Sequence, residues 1–150
     1  MTEVLLAVLH SLTSIRDEGD TLYTMRGSPW NPEANTTYMA MYYSPNSCHA
    51  CIEQLWQYIL LTCSQSPDHQ PLIIVAGGDV LSMRHQTRYL QNTFGENVNI
   101  YYDNPPFEKK SIIDKYDIRY FPCLFVITEQ TRFKYLSYDT LFGLDRKPSY

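Results

Sequence analysis

Two cysteines separated by two residues, Cys48 and Cys51, are the feature of this sequence best suited to chemistry. They lie in the stretch "SPNSCHACIEQLW", where a strand-like run gives way to a helix-like one. A pair with this spacing serves as a redox centre, as half of a metal site or as a static disulfide. The helices and strands predicted around the pair indicate which of these three uses applies.

The segment after the pair predicts an amphipathic helix that positions both sulfurs. Its apolar residues follow the i, i+3, i+4, i+7 rule: Ile52, Leu55, Trp56, Ile59, Leu60 and Cys63. Ser47 is the expected N-cap, which places Cys48 in the first turn, near unpaired backbone N–H groups and the positive end of the helix dipole. Both favour the thiolate, so we expect the pKa of Cys48 to lie below the free value of about 8.5. Cys48 is then the attacking thiol, and the deeper Cys51 resolves the mixed disulfide.

Strand-like and helix-like segments alternate through the rest of the chain. Strands are expected over residues 20–25, 37–43, 72–76 and 98–102, in an apolar run within 118–127 that follows a proline, and over 132–138. Further helices are expected over residues 80–94, 105–116 and 140–144. This order predicts an α/β fold with a mostly parallel, mixed central sheet, helices on both faces and one antiparallel edge.

The chain is expected to form one domain, residues 1–150, with a core over 36–144 and an N-terminal helix and extension over 1–35. Its 150 residues, 44% of them hydrophobic, suffice for a core without metal or disulfides. The N-terminal helix carries one apolar stripe: Leu5, Val8, Leu9, Leu12 and Ile15. Glu3 and the lack of a preceding Lys or Arg make this stretch a poor signal peptide. The sequence as written predicts a cytoplasmic protein, or a periplasmic or cell-envelope protein if an export signal has been trimmed.

Composition argues against two classes of partner. A net charge of −4 disfavours nucleic acid, which usually selects a basic surface. No apolar run approaches the roughly 20 residues that a membrane span needs. The sequence does not indicate an oligomeric state.

Three features in this order resemble the thioredoxin superfamily. They are an apolar strand that ends in C-x-x-C at a helix start, the later segment "KYDIRYFP", and an apolar strand with a hairpin. The additional strand and helix between Gly77 and Tyr116 are similar to the redoxin (TlpA-like) branch, which includes secreted bacterial thiol-disulfide oxidoreductases. The resemblance covers about residues 36–140 and implies a thioredoxin-like fold with thiol-disulfide exchange.

The resemblance also implies roles near the pair. Pro122 would follow a cis peptide bond, and Phe121 would offer its backbone N–H and C=O to an extended partner peptide. The imidazolium of His49 would stabilise the Cys48 thiolate, unless His49 is simply an exposed polar residue at a helix start. The implied partners are protein disulfides or a redox partner protein, and neither a cofactor nor a resident metal is implied.

Four positions depart from the thioredoxin pattern. Thioredoxins have Trp where this chain has Ser47, and Gly-Pro where it has His49-Ala50. Tyr42 occupies the position, six residues before the first cysteine, of a buried Asp that moves protons. Glu53 is near enough in sequence to be considered instead, although a helix residue at this point is more often a solvated charge. The proton-transfer partner is therefore open.

The direction of exchange depends on the reduction potential of the cysteine pair. Across such proteins this potential spans about 150 mV, which corresponds to about 7 kcal/mol in the relative stability of the oxidised and reduced forms. A few residues do not fix so wide a range, and disulfide reduction is our working expectation. The two other cysteines are expected in the core. Cys63 continues the apolar face of the helix, and strand alternation turns Cys123 away from the pair.

Two other functions compete with exchange. In the first, the fold is retained, the pair is a static disulfide, and the groove beside Phe121 and Pro122 holds a peptide. In the second, the pair binds copper or zinc together with His49, His69 or His85. The metal alternative fits less well, because copper-delivery relatives of this fold space their cysteines one residue wider.

Overall fold

The computed structural model describes residues 20–129 and 133–143. Their elements are β1 (Thr37–Tyr43), α1 (His49–Ser64), β2 (His69–Ala76), α2 (Val80–Phe94), β3 (Ile100–Asp103), α3 (Ile112–Tyr116), β4 (Cys123–Ile127), β5 (Lys134–Ser137) and α4 (Tyr138–Leu141). The predicted N-terminal helix, which includes Leu5 and Ile15, lies outside the described residues.

The five strands form one mixed sheet in the order β3-β2-β1-β4-β5. Strands β1, β2 and β3 are parallel, β4 runs antiparallel to β1, and β5 runs antiparallel to β4. The predicted α/β architecture is confirmed, and the antiparallel hairpin of β4 and β5 forms one side of the sheet, with β4 as an inner strand. Four of the five β4 residues are buried, as expected for an inner strand, whereas β5 alternates exposed and half-buried residues and forms the edge.

Strand β1 contributes side chains to two cores, one on each face of the sheet. Met39, Met41 and Tyr43 pack with the apolar faces of α1 and α2. Tyr38, Ala40 and Tyr42 face the opposite core, to which α3 contributes its buried isoleucine. The period of two along a strand produces this division, and burial on both faces explains the continuous apolar run of β1.

The expected strand over residues 20–25 is wrong. Only Tyr23 pairs, exchanging two backbone hydrogen bonds of 2.8 Å with Tyr102 at the outer side of β3. The chain then turns, with the Gly27 N–H donating to the Thr24 carbonyl at 2.9 Å and Gly27 at a φ of 92°. A glycine with positive φ ends the extended conformation before a strand can form.

The helix predicted to open at Pro105-Pro106 begins only at Ile112. Residues 106–110 are exposed and have no apolar periodicity, so no face of a helix here could pack on the sheet. Ser111 is the N-cap of α3 and accepts the Asp114 N–H through its hydroxyl at 3.2 Å. The last predicted helix, over 140–144, lies slightly earlier in the chain, at Tyr138–Leu141.

Candidate active site

The Cys48–Cys51 pair lies at the side of the sheet where the carboxyl ends of the three parallel strands meet, which is called the carboxyl edge below and is distinct from the edge strand β5. β1 ends at Tyr43, and a turn closed by a 2.9 Å hydrogen bond from the Ser47 N–H to the Ser44 carbonyl leads into α1. The two cysteines form a disulfide, with their Cα atoms 5.1 Å apart. The carboxyl ends of parallel strands are the usual location of sites in α/β sheets.

Cys48 itself is the N-cap of α1, one residue later than predicted. Its Sγ accepts the Cys51 N–H at 3.2 Å, and its carbonyl accepts the Ile52 N–H at 3.0 Å. The hydroxyl of Ser47 is used within the preceding turn, where it accepts the Ser44 N–H at 3.3 Å. The Cys48 sulfur therefore faces a backbone donor at the helix start, an environment that favours a negative charge.

The two sulfur-bearing residues differ in accessibility. Cys48 is exposed, whereas Cys51 is half-buried and is followed by the buried Ile52. Cys48 is therefore the more accessible of the two cysteines.

His49 has partners other than the sulfurs. Its Nε2 lies 3.1 Å from Oε1 of Glu53, and its Nδ1 lies 3.3 Å from the hydroxyl of Tyr89. The His49 and Glu53 side chains are 67% and 56% exposed. Of the two interpretations of His49, this geometry favours the exposed polar residue, and Glu53 is a solvated ion-pair partner.

Tyr89 is a residue of the site that sequence reasoning missed. Its ring stacks on Tyr43 with centroids 6.0 Å apart, and its hydroxyl reaches His49. Helix α2 therefore contacts the first turn of α1. The sequence placed Tyr89 on a predicted helix, but only the fold reveals a contact across 40 residues.

Pro122 comes to the carboxyl edge, as the pair does. The Phe121–Pro122 peptide bond is cis, as the resemblance implied. Tyr42 pairs with Cys123 in the antiparallel register, which aligns Pro122 with Tyr43, the last residue of β1. Pro122 is buried, while Phe121 is half-buried and packs its ring 5.4 Å from that of Tyr42.

A buried carboxylate is present, but it comes from another strand than in thioredoxins. The Tyr42 hydroxyl donates a 2.6 Å hydrogen bond to Oδ2 of Asp103, at the end of β3. Asp103 also accepts the N–H groups of Ile112, at 2.9 Å, and Ile113, at 3.3 Å. Burial raises the pKa of Asp103, an effect that these hydrogen bonds reduce in part. Burial, and secondarily the Asp103 charge, raises the pKa of Tyr42.

The two remaining cysteines do not join the pair. Cys123 is fully buried with Tyr42 in the core on one face, and burial raises the pKa of its thiol. Cys63 is half-buried at the other core, and its pKa is also raised by burial.

The structure does not gather the histidines proposed as metal ligands. His69 is the first residue of β2 and pairs with Thr37 at the start of β1, so the length of β1, about 20 Å, separates it from the carboxyl edge, which holds the disulfide. His85 lies on the exposed side of α2. Among residues 20–129 and 133–143, no three His, Cys, Asp or Glu side chains form a set that could hold a metal ion.

Comparison with known proteins identifies the fold from solved structures alone. No protein-family profile matches the sequence, and no curated protein matches it. A thioredoxin-like protein from Aeropyrum pernix is 13% identical, with a TM-score of 0.58 over 94% of this chain and 97% of that one. A thiol-disulfide oxidoreductase from Bacteroides fragilis is 11% identical, with a TM-score of 0.52 over 82% of this chain and 91% of that one.

A third similar structure is an exposed lipoprotein thioredoxin from Streptococcus pneumoniae, 12% identical, with a TM-score of 0.51 over 82% of this chain and 94% of that one. The chain has a thioredoxin-like fold, as its resemblance implied. In the part of the chain that the structure describes, no helix combines the length and apolar character needed to cross a bilayer.

Proposed function

We propose that this protein carries out thiol-disulfide exchange through Cys48 and Cys51. The observation that carries the proposal is an exposed Cys48 sulfur, capped by a helix N–H in a C-x-x-C disulfide, at the carboxyl edge, which also holds Pro122. A purely structural staple would gain nothing from an exposed sulfur at a helix start, whereas an exchange centre requires both features.

In the reduced protein, the Cys48 thiolate attacks one sulfur of a partner disulfide. The partner S–S bond breaks, its second sulfur leaves as a thiolate, and a mixed disulfide forms with Cys48. The Cys51 thiolate then attacks Sγ of Cys48, which restores the Cys48–Cys51 disulfide and releases the second partner thiol. The protein loses two electrons, the partner gains two, and a thiol reductant regenerates the dithiol.

The fold suggests how a partner is held during these steps. The backbone of Phe121, before the cis Pro122, offers an N–H and a C=O to an extended segment. Tyr42 supports the ring of Phe121 from the core. Protein disulfides are therefore the proposed substrates, with reduction as the preferred direction.

Insulin reduction tests this proposal. We expect the protein to accelerate insulin precipitation by a dithiol reductant, Cys48→Ser to abolish the acceleration, and Cys63→Ser to retain it. Equal rates with and without the wild-type protein would contradict exchange. That result would favour a static disulfide with a peptide-binding groove, an alternative that the solvated position of His49 supports.

A further inference from the structure

One side of α2 carries a stripe of exposed basic and apolar side chains. Leu81, Arg84, His85 and Arg88 stand at i, i+3, i+4 and i+7 and line a shallow cavity of about 270 Å³. All four residues are exposed, Leu81 to 76%. The opposite side of the helix, which is formed by Met83, Gln86 and Leu90, supplies its packing on the sheet. Packing of the helix therefore does not explain the stripe.

The helix that carries the stripe contacts the first turn of α1, where the disulfide lies. Tyr89 directly follows Arg88, and its hydroxyl lies 3.3 Å from Nδ1 of His49, between the two cysteines. His85 stands one helical turn before Tyr89 on α2 and is exposed. A partner bound at Cys48 would therefore also contact the exposed side of α2.

The charges of this surface are not balanced locally. Within residues 20–129 and 133–143, neither Arg84 nor Arg88 forms an ion pair, although other basic side chains do. The acidic side chains nearby are engaged: Glu53 pairs with His49, and Asp79 caps α2 by accepting the Ser82 N–H at 2.8 Å. Within the described residues, two positive charges without an ion-pair partner thus lie on the exposed side of α2, in a chain with a net charge of −4.

We propose that this stripe binds an acidic, extended segment of the redox partner while the partner's disulfide meets Cys48. Two carboxylates of the segment pair with Arg84 and Arg88, each guanidinium matching a carboxylate with two parallel hydrogen bonds. An apolar side chain beyond the carboxylate that pairs with Arg84 covers Leu81, which lies one helical turn before Arg84. The stripe is about 10 Å long, which an extended segment of about three residues spans. This proposal rests on the proposed exchange function and names its partner class.

An anionic membrane is the other surface that basic residues could bind. Membrane-binding segments usually cluster four to eight Lys or Arg residues. The stripe has two, and the net charge of the whole chain is negative. These charges favour a short acidic peptide over a lipid surface.

Three synthetic peptides with the same central cystine loop test the proposal, with flanks of Glu, Gln or Lys. At low ionic strength we expect the reduced protein to be oxidised about tenfold faster by the Glu-flanked peptide than by the Lys-flanked one. The difference should shrink at 0.5 M salt, because salt screens exposed charges. The preference should disappear in R84Q/R88Q, which changes the net charge by −2.

K134E is the matched control, because it also changes the net charge by −2. Lys134 is exposed and pairs with Val126, which pairs with Met39 near the start of β1, at the sheet end opposite the disulfide. We expect K134E to keep the preference for Glu flanks. Equal rates for all three peptides in the wild type, or loss of the preference in K134E as well, would overturn the proposal.

Binding measured without exchange separates this proposal from the proposed function. Fluorescence anisotropy of the same labelled peptides, with Ser in place of both cysteines, should show tighter binding of the Glu-flanked peptide to the oxidised wild type than to R84Q/R88Q. If that preference holds while no peptide exchanges, the docking surface stands and the exchange function fails. If all peptides exchange equally and bind equally, the exchange function stands and the docking surface fails. Binding to anionic phosphatidylserine vesicles that R84Q/R88Q abolishes, without peptide preference, would assign the stripe to a membrane.

Discussion

At the scale of single residues, the two cysteines of the disulfide have different environments, and the proposed order of the chemical steps rests on this difference. Cys48 is exposed and accepts a backbone N–H from Cys51, whose own side chain is half-buried. For the reduced protein we propose that the same donor faces the Cys48 sulfur and stabilises its negative charge. His49 adds little to this, because Glu53 and Tyr89 hold its ring.

Alkylation of the reduced protein across pH tests this asymmetry. We expect one thiol to react well below pH 8, because the helix start favours its thiolate. That rapid phase should vanish in Cys48→Ser and persist in Cys63→Ser and Cys123→Ser. If the rapid phase survived in Cys48→Ser and vanished in Cys51→Ser, the assignment of the attacking thiol would be wrong.

The hydrogen bond between Tyr42 and Asp103 makes a second prediction at this scale. Tyr42→Phe removes the donor to a buried carboxylate and should lower the free energy of unfolding by about 1.5–3 kcal/mol, measured by urea denaturation. Tyr120→Phe is the matched control, because Tyr120 is 76% exposed, and should change it by less than about 0.5 kcal/mol. Equal effects of the two substitutions would contradict a structural role of the pair.

Asp103 also predicts a pH dependence of stability. Because burial raises its pKa, the native protein retains the Asp103 proton at a pH where the unfolded chain has lost it. Its contribution to stability is thus fully present below the unfolded pKa of about 3.9 and is lost as the pH rises through the folded value. The free energy of unfolding of the wild type should therefore fall, relative to that of Asp103→Asn, as the pH rises through the folded pKa of Asp103. A difference constant with pH would contradict the raised pKa.

At the scale of elements, the sequence predicted the helices and strands whose bounds depend on neighbouring residues, and it failed where a bound depends on a residue far along the chain. The helix over residues 80–94 and the strand over 37–43 were predicted with their observed bounds, because apolar periodicity and flanking turn residues mark both. The predicted start of the third helix at Pro105 was wrong. The start of α3 depends on hydrogen bonds to the carboxylate of Asp103 and to the Ser111 hydroxyl, and the Asp103 contact has no local signal in the sequence. The Tyr42–Asp103 contact, across 61 residues, had no local signal.

The buried face of α1 makes a prediction at this scale. Ile59 is fully buried in the core between α1 and the sheet, so Ile59→Ala should lower the free energy of unfolding by about 2–5 kcal/mol. Leu61, on the other side of the helix, is 60% exposed, and Leu61→Ala should cost less than about 1 kcal/mol. Thermal and urea unfolding of both variants would measure the difference. Similar losses for the two would mean that α1 packs in another orientation.

At the scale of the whole molecule, the topology collects the functional elements at the carboxyl edge of the sheet. The ends of β1 and β3 and the beginning of β4 bring the disulfide, Asp103 and Pro122 to this edge. The inserted helix α2 adds Tyr89 and the basic stripe beside them. The beginning of β4 lies beside the end of β1 because these two neighbouring strands are antiparallel.

Trapping of a mixed disulfide is the most direct test of thiol-disulfide exchange by this protein. Reduced Cys51→Ser, incubated with a disulfide-containing protein substrate, should accumulate a covalent adduct through Cys48 that a thiol reductant reverses, because the resolving thiol is gone. Cys48→Ser/Cys51→Ser should form none. If folded Cys51→Ser yields no adduct on non-reducing gels and by mass spectrometry, the disulfide is a static staple and exchange is contradicted.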